Sequence, residues 1–119
     1  MLIEVLKSKI HRARVTEADI NYEGSLTIDE ALMDEVSIRE YERVLVGNLT
    51  NGNRFETYVI KGDRGRRSVR LNGATARLGE VGDILIILAF ARMDEVEAKD
   101  FRPRVIVLDE NNSILKRVP

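Results

Sequence analysis

Cysteine is absent from the chain, which excludes disulfides, zinc–thiolate centres, iron–sulfur clusters and thiol nucleophiles together. Histidine occurs once, at His11, so a multi-histidine metal site within a single chain is excluded as well. Proline is found only at Pro103 and Pro119, and no linker-like stretch divides the sequence. Neither sign of charge is in excess: 19 Lys and Arg stand against 20 Asp and Glu, a net charge of −1. That balance supplies no global electrostatic drive toward nucleic acid or an anionic membrane. The longest apolar run, Ile84 to Ala91, falls far short of the roughly 20 residues that cross a bilayer as a helix. Charges interrupt Met1 to Val15 every few positions, unlike a signal peptide or membrane anchor, and a cytoplasmic location is expected. What is present is 44% hydrophobic and 33% charged residue over 119 positions, enough for one domain with its own core.

Most segments read as strands. Leu2 to Val15 alternates imperfectly, and period two puts Ile3, Val5, Lys7, Lys9, His11 and Ala13 on one face. Val44–Thr50 and Arg54–Ile60 flank Asn51-Gly52, which predicts a hairpin with a type I′ turn. A short strand over Ser68–Leu71 ends at a second turn signal, Asn72-Gly73. Ile84–Ala91 predicts a strand buried on both faces, and Val105–Leu108 another short buried strand. Thr27-Ile28-Asp29-Glu30 fits a capping box with Thr27 as the cap, followed by a helical stripe of Ile28, Leu32 and Val36. A second short helix is expected around Ala74–Leu78, and the polar tail from Asn111 reads as loose. Many short strands with one or two helices predict a small, mainly β barrel or sandwich.

Two charged stretches identify no chemistry. Lys61 to Arg70 is locally basic but has no interleaved aromatics, and reads as a solvated turn leading into a strand edge. Asp94-Glu95-Val96-Glu97 reads as a solvated face. Glu23-Gly24-Ser25 is different in kind. A serine directly after a glycine can attack the glycine carbonyl and turn the amide into an ester, if the fold strains the bond. Elimination then leaves dehydroalanine, which hydrolyses to a pyruvoyl group on a new amino terminus. The chain would thereby make its own ketone.

Around that pair lie Lys9-Ile10-His11-Arg12, Val15-Thr16 with Ala18-Asp19, and Tyr22 with Gly24-Ser25. Thr50-Asn51-Gly52, Arg54-Phe55, Thr57-Tyr58, Asn72-Gly73-Ala74 and Val81-Gly82-Asp83-Ile84 follow. In this order and spacing, over residues 1 to about 110, the chain resembles the aspartate 1-decarboxylase family. The resemblance implies a six-stranded double-psi β-barrel with one or two short helices. It implies a single domain over 1–119 that cleaves itself into 1–24 and 25–119. Ser25 would become the covalent pyruvoyl cofactor, with no metal and no pyridoxal phosphate.

The activity so implied is decarboxylation of L-aspartate to β-alanine and CO2 through a Schiff base, supplying pantothenate synthesis. Active sites would lie between the subunits of a homotetramer, with no membrane or nucleic-acid partner. Tyr58 would donate the proton to the α-carbon, as a group with an ordinary pKa of about 10 can at neutral pH. Lys9 and Arg54 would hold carboxylates, Arg54 through its guanidinium fork. Thr57 would hydrogen-bond toward the Gly24 carbonyl and help orient substrate, with Asn72 supporting self-processing. Gly73, Ala74 and Thr75 match the family's substrate segment, where amides could hold a carboxylate. His11 and Tyr22 take supporting roles. Two positions depart from the family pattern: Gly47 replaces a large aromatic of some relatives, and Thr75 stands where alanine is common.

In a flat strand Arg54 and Tyr58 share a face and Thr57 points away. A site using all three needs a bulge, a twist, or a second subunit. Two other readings fit the same residues: a non-catalytic β-barrel that binds nucleic acid through Arg64 to Arg70, and a homologue that folds but stays uncut.

Overall fold

The computed structural model describes residues 1–119. The chain is mainly β, as its alternating segments predict, with strands β1 (Leu2–Arg14), β2 (Glu17–Asp19), β3 (Leu26–Asp29), β4 (Arg43–Asn48) and β5 (Arg54–Gly62). These are followed by β6 (Val69–Asn72), β7 (Ile84–Asp94), β8 (Arg104–Leu108) and β9 (Ile114–Val118). Helix α1 covers Glu30–Val36, α2 covers Glu95–Ala98, and a 3-10 turn covers Gly73–Arg77, where the second short helix is expected. The nine strands form one continuously paired array in the order β2-β6-β3-β5-β4-β7-β1-β8-β9. Most neighbours run antiparallel, but β1–β8, β2–β6 and β3–β5 are parallel, so the chain crosses over rather than meandering. No helix is long and apolar enough to cross a membrane.

One face of this array closes on a single core. Ile10, Leu26, Ile28, Leu71, Leu85, Ile87 and Ile106 are fully or almost fully buried within it. Helix α1 lays Leu32, Met33 and Val36 on the same core. In β7 the alternation is plain: Leu85, Ile87 and Ala89 are buried, whereas Ile84, Ile86 and Leu88 are half-buried and Phe90 is exposed. The expectation of a strand buried on both faces is therefore corrected, because only the inner face of β7 is packed. The shared face predicted for β1 is corrected too. Register shifts at Lys7 and Arg12, the latter with φ +68°, interrupt the period, so Lys9 and His11 keep the outer face while Ala13 turns into the core.

Three local expectations change for identifiable reasons. Thr27 does not cap α1, because its backbone is held in β3 opposite Arg70 and beside Ile60. Asp29 is the cap instead, accepting the Ala31 amide at 2.8 Å. Its buried carboxylate also accepts the amides of Gly65 and Arg67, which winds the loop between β5 and β6 around it. The β4–β5 connection is a longer loop than a two-residue turn: Asn48 accepts from Gly52, donates to Asn53, and only Gly52 of the Asn-Gly pair has positive φ. The tail is not loose. Asn112 is buried at φ +58°, bonds both backbone groups of Arg14 and the Arg67 carbonyl, and β9 then pairs with β8. Arg117 seals that strand by a bidentate ion pair with Glu35 of α1.

Candidate active site

The bend between β2 and β3 delivers Gly24-Ser25 to the rim of the barrel wall. Gly24 adopts φ +92°, a conformation open to glycine and costly for other residues. A Cβ at this position would also stand 2.6 Å from Ile60 Cδ1 and push that side-chain end aside, but it is the backbone that demands glycine. Ser25 is half-buried, and its carbonyl accepts the Asn72 amide at 2.8 Å and the Thr75 hydroxyl at 2.9 Å. Thr75 shares that hydroxyl with the Asn72 carbonyl, 2.8 Å away. Gly73, at φ +59°, leaves room for the Gly24 carbonyl oxygen, which lies 3.5 Å from where its Cβ would be. Asn72, Gly73 and Thr75 thus clasp the Gly24–Ser25 bond, while Ala74 stands exposed beside them. Asn72 itself is fully buried, and its Oδ1 has no hydrogen-bond partner.

An open cleft of about 540 Å³ faces this bond, lined by Tyr22, Gly24, Tyr58, Tyr41 and Ile60 among others. Tyr58 reaches it because it shares a face of β5 with Ile60. Tyr22 also forms the rim of a polar groove of about 430 Å³, where the Arg70 guanidinium lies 4.7 Å above its ring. Tyr22, Gly24, Ser25, Tyr58, Asn72, Gly73, Ala74 and Thr75 therefore gather in one region of the subunit. Tyr41, Ile60 and Thr27 line it too, and no local pattern marks them as site residues, since each comes from a different element.

Lys9, His11 and Arg54 lie apart from that region on the outer face, spread across β1, β7, β4 and β5. Register places His11 opposite Ile86, Ile86 opposite Gly47, and Gly47 opposite Arg54. Lys9 occupies the neighbouring row with Leu88, Leu45 and Glu56. Gly47 leaves the surface open here, with Arg54 Nη1 3.9 Å from its missing Cβ. Neither Lys9 nor Arg54 has an acidic partner, whereas the Glu56 carboxylate is taken by Arg43. The His11 Nδ1 is buried without a partner, and the pKa of the ring is lowered by that burial, then by the Lys9 and Arg12 charges.

Arg54 and Tyr58 are four residues apart on β5, about 13 Å along a strand. The β4–β5 register runs unbroken from Arg43–Tyr58 to Gly47–Arg54, so no bulge brings them closer or turns Thr57 to their face. Thr57 lies with Phe55 and Val59 on the opposite side of β5 and makes no side-chain hydrogen bond; the Gly24 carbonyl accepts none. Of the ways to unite these residues, a bulge within β5 is absent. The basic stretch is a solvated turn, with Arg64 paired to Asp34 and Glu30 and Arg66 to Asp63, but it leads into an interior strand and not an edge, because β6 is paired with both β2 and β3.

Comparison with known proteins shows the family. The family profile described as aspartate decarboxylase matches residues 1–115. The aspartate 1-decarboxylase of Caldicellulosiruptor saccharolyticus is 58% identical over 116 residues, covering 98% of this chain and 91% of that protein. Its namesake from Acetivibrio thermocellus is 55% identical over 115 residues, covering 97% and 91%. That of Lactiplantibacillus plantarum is 52% identical over 118 residues, covering 99% and 91%. With matches of this identity along nearly its whole length, the chain belongs to the aspartate decarboxylase family.

Proposed function

We propose that this protein is a carboxy-lyase that converts L-aspartate to β-alanine and CO2, using a pyruvoyl group made from its own Ser25, and so serves pantothenate synthesis. Family membership carries the activity. The observation that best supports the self-made group is the state of Gly24-Ser25. The glycine is held at positive φ, the serine carbonyl is gripped by two donors, and a buried amide oxygen without a partner lies in the adjoining Asn72. In the cleavage step Ser25 Oγ bonds to the Gly24 carbonyl carbon, the carbon–nitrogen bond breaks, and the hydroxyl proton ends on the Ser25 nitrogen. Loss of the Ser25 α-proton then expels the Gly24 carboxylate, and water releases ammonia from the remaining enamine. The products are chains 1–24 and 25–119.

The residues present fit such a group, since the clasp by Asn72, Gly73 and Thr75 surrounds the position where it would form. When present, it supplies a ketone that captures the substrate amine and draws off the electrons left by departing CO2. The chain's own side chains do the rest. Tyr58 lines the cleft beside Gly24 and holds a proton at its hydroxyl for delivery to the α-carbon. Arg54 and Lys9, cations without acidic partners, suit the two carboxylates of aspartate. Thr57 and the supporting His11 and Tyr22 are assigned to the same work.

Because Arg54 and Lys9 sit on a different part of the surface from Ser25, and β5 has no bulge to join them, the reading requires a second copy of the chain. A homotetramer with shared sites meets that need, and the half-buried outer face of Ile86, Leu88, Val105 and Val107 supplies an apolar surface for it. The parallel β1–β8, β2–β6 and β3–β5 pairs are in keeping with a double-psi barrel. A cytoplasmic setting suits a chain without cysteine.

The test is release of β-alanine from L-aspartate by wild type and two variants. Ser25→Ala is expected to be folded, uncut and inactive. Tyr58→Phe is expected to cut normally and lose about 10²–10⁴ in turnover, the usual weight of a positioned acid. Full turnover by Ser25→Ala would refute the self-made group, and by Tyr58→Phe the donor role.

A further inference from the structure

Thr27 stands two residues beyond Ser25 on β3, nearly buried, and its Oγ1 accepts a hydrogen bond from Asn72 Nδ2 at 2.9 Å. That is the sole hydrogen bond of the Asn72 side chain, because Oδ1 has no partner. A carboxamide turns readily about its last side-chain bond, and in a buried site only its partners fix which end faces which way. Thr27 therefore sets the orientation of the Asn72 amide. On its other side the Thr27 methyl packs into the space that Gly62 leaves by having no side chain.

The amide so oriented lies against the bond that must react. Asn72 Nδ2 is 3.8 Å from the position a Gly24 Cβ would take, and the Asn72 backbone amide grips the Ser25 carbonyl. With Nδ2 engaged by Thr27, Oδ1 is left as a buried acceptor without a protein partner. Buried polar atoms are rarely left so in a native protein, and a hydroxyl that arrives during a reaction is one partner that would satisfy it. We propose that Thr27 is a positioning residue for self-processing: its hydroxyl holds the Asn72 amide so that Oδ1 is free to receive the Ser25 hydroxyl as that group turns onto the Gly24 carbonyl. The inference rests on the self-cleavage reading. Bond changes are those of the acyl shift already given, and Thr27 exchanges no atoms.

The experiment follows cleavage over time after synthesis of the full chain, by intact mass under denaturing conditions, for wild type, Thr27→Val and Thr27→Ser. Thr27→Val keeps the shape and removes the acceptor, and is expected to slow cleavage at least about tenfold, the effect of one well-placed hydrogen bond. Thr27→Ser keeps the hydroxyl and is expected to restore the rate to within about threefold of wild type. Melting temperatures of the variants separate folding from processing, and Thr27→Ala, which adds no bulk, replaces Thr27→Val if the latter fails to fold. Wild-type cleavage rates in Thr27→Val, or a Thr27→Ser chain as slow as Thr27→Val, overturn the inference alone. A wild-type chain that never cuts overturns the self-cleavage reading and this inference with it.

Discussion

His11 combines a buried, unpartnered ring nitrogen with two cationic neighbours, Lys9 and Arg12, and all three effects oppose its protonation. Its folded pKa therefore lies below the ordinary value of 6.5. In the window between the two the unfolded chain binds more protons than the folded one, so stability falls as pH drops below about 6.5 and levels off beneath the folded value. The measurement is denaturant unfolding of wild type and His11→Asn between pH 7.5 and pH 5, a range of about 2.5 pH units chosen to span that window. The wild type is expected to lose stability across it more steeply than the variant, and equal slopes would remove His11 from the account. Residue identities of this kind were legible in the sequence, because Gly24, Ser25, Tyr58, Lys9 and Arg54 stand in a recognisable order. Their partners were not. That Asn72 bonds Thr27, 45 positions away, or that Lys9 and Arg54 lack carboxylates, depends on register across several strands.

Among the elements, α1 is short and depends on its ends. Asp29 caps it and also accepts two amides from the loop between β5 and β6, so one buried carboxylate fastens a strand end, a helix start and a turn. Asp29→Ala removes the cap and leaves those amides unpaired, a loss of about 2–4 kcal/mol. A melting temperature roughly 10 °C lower is expected, and an unchanged one would contradict the role given to Asp29. The sequence pattern pointed to Thr27 as the cap, but its pairing opposite Arg70 and beside Ile60 holds Thr27 in β3 and leaves the cap to Asp29. The same long-range pairing explains β9. Its polar sequence reads as loose, yet Asn112 and Arg117 find their partners on β1, the loop at Arg67 and α1. The existence of β5 and β7 was legible because their patterns are local, whereas which face of the apolar run in β7 is packed was not.

At the scale of the molecule, the proposed site is shared between subunits, because Gly24-Ser25 lie beside Tyr58 while Arg54 stands at the start of β5 and Lys9 and His11 lie across the sheet on β1. Two inactive variants should therefore complement each other. Co-expression of Ser25→Ala with Arg54→Ala is expected to restore activity at roughly a quarter of sites by random pairing. No recovery above the separate variants would place both residues in one subunit's site. The most direct measurement remains the intact mass of the purified protein under denaturing conditions. Two chains divided after Gly24, the larger lighter by one ammonia than simple hydrolysis gives, are the predicted result. A single uncut chain that nevertheless decarboxylates aspartate would contradict it.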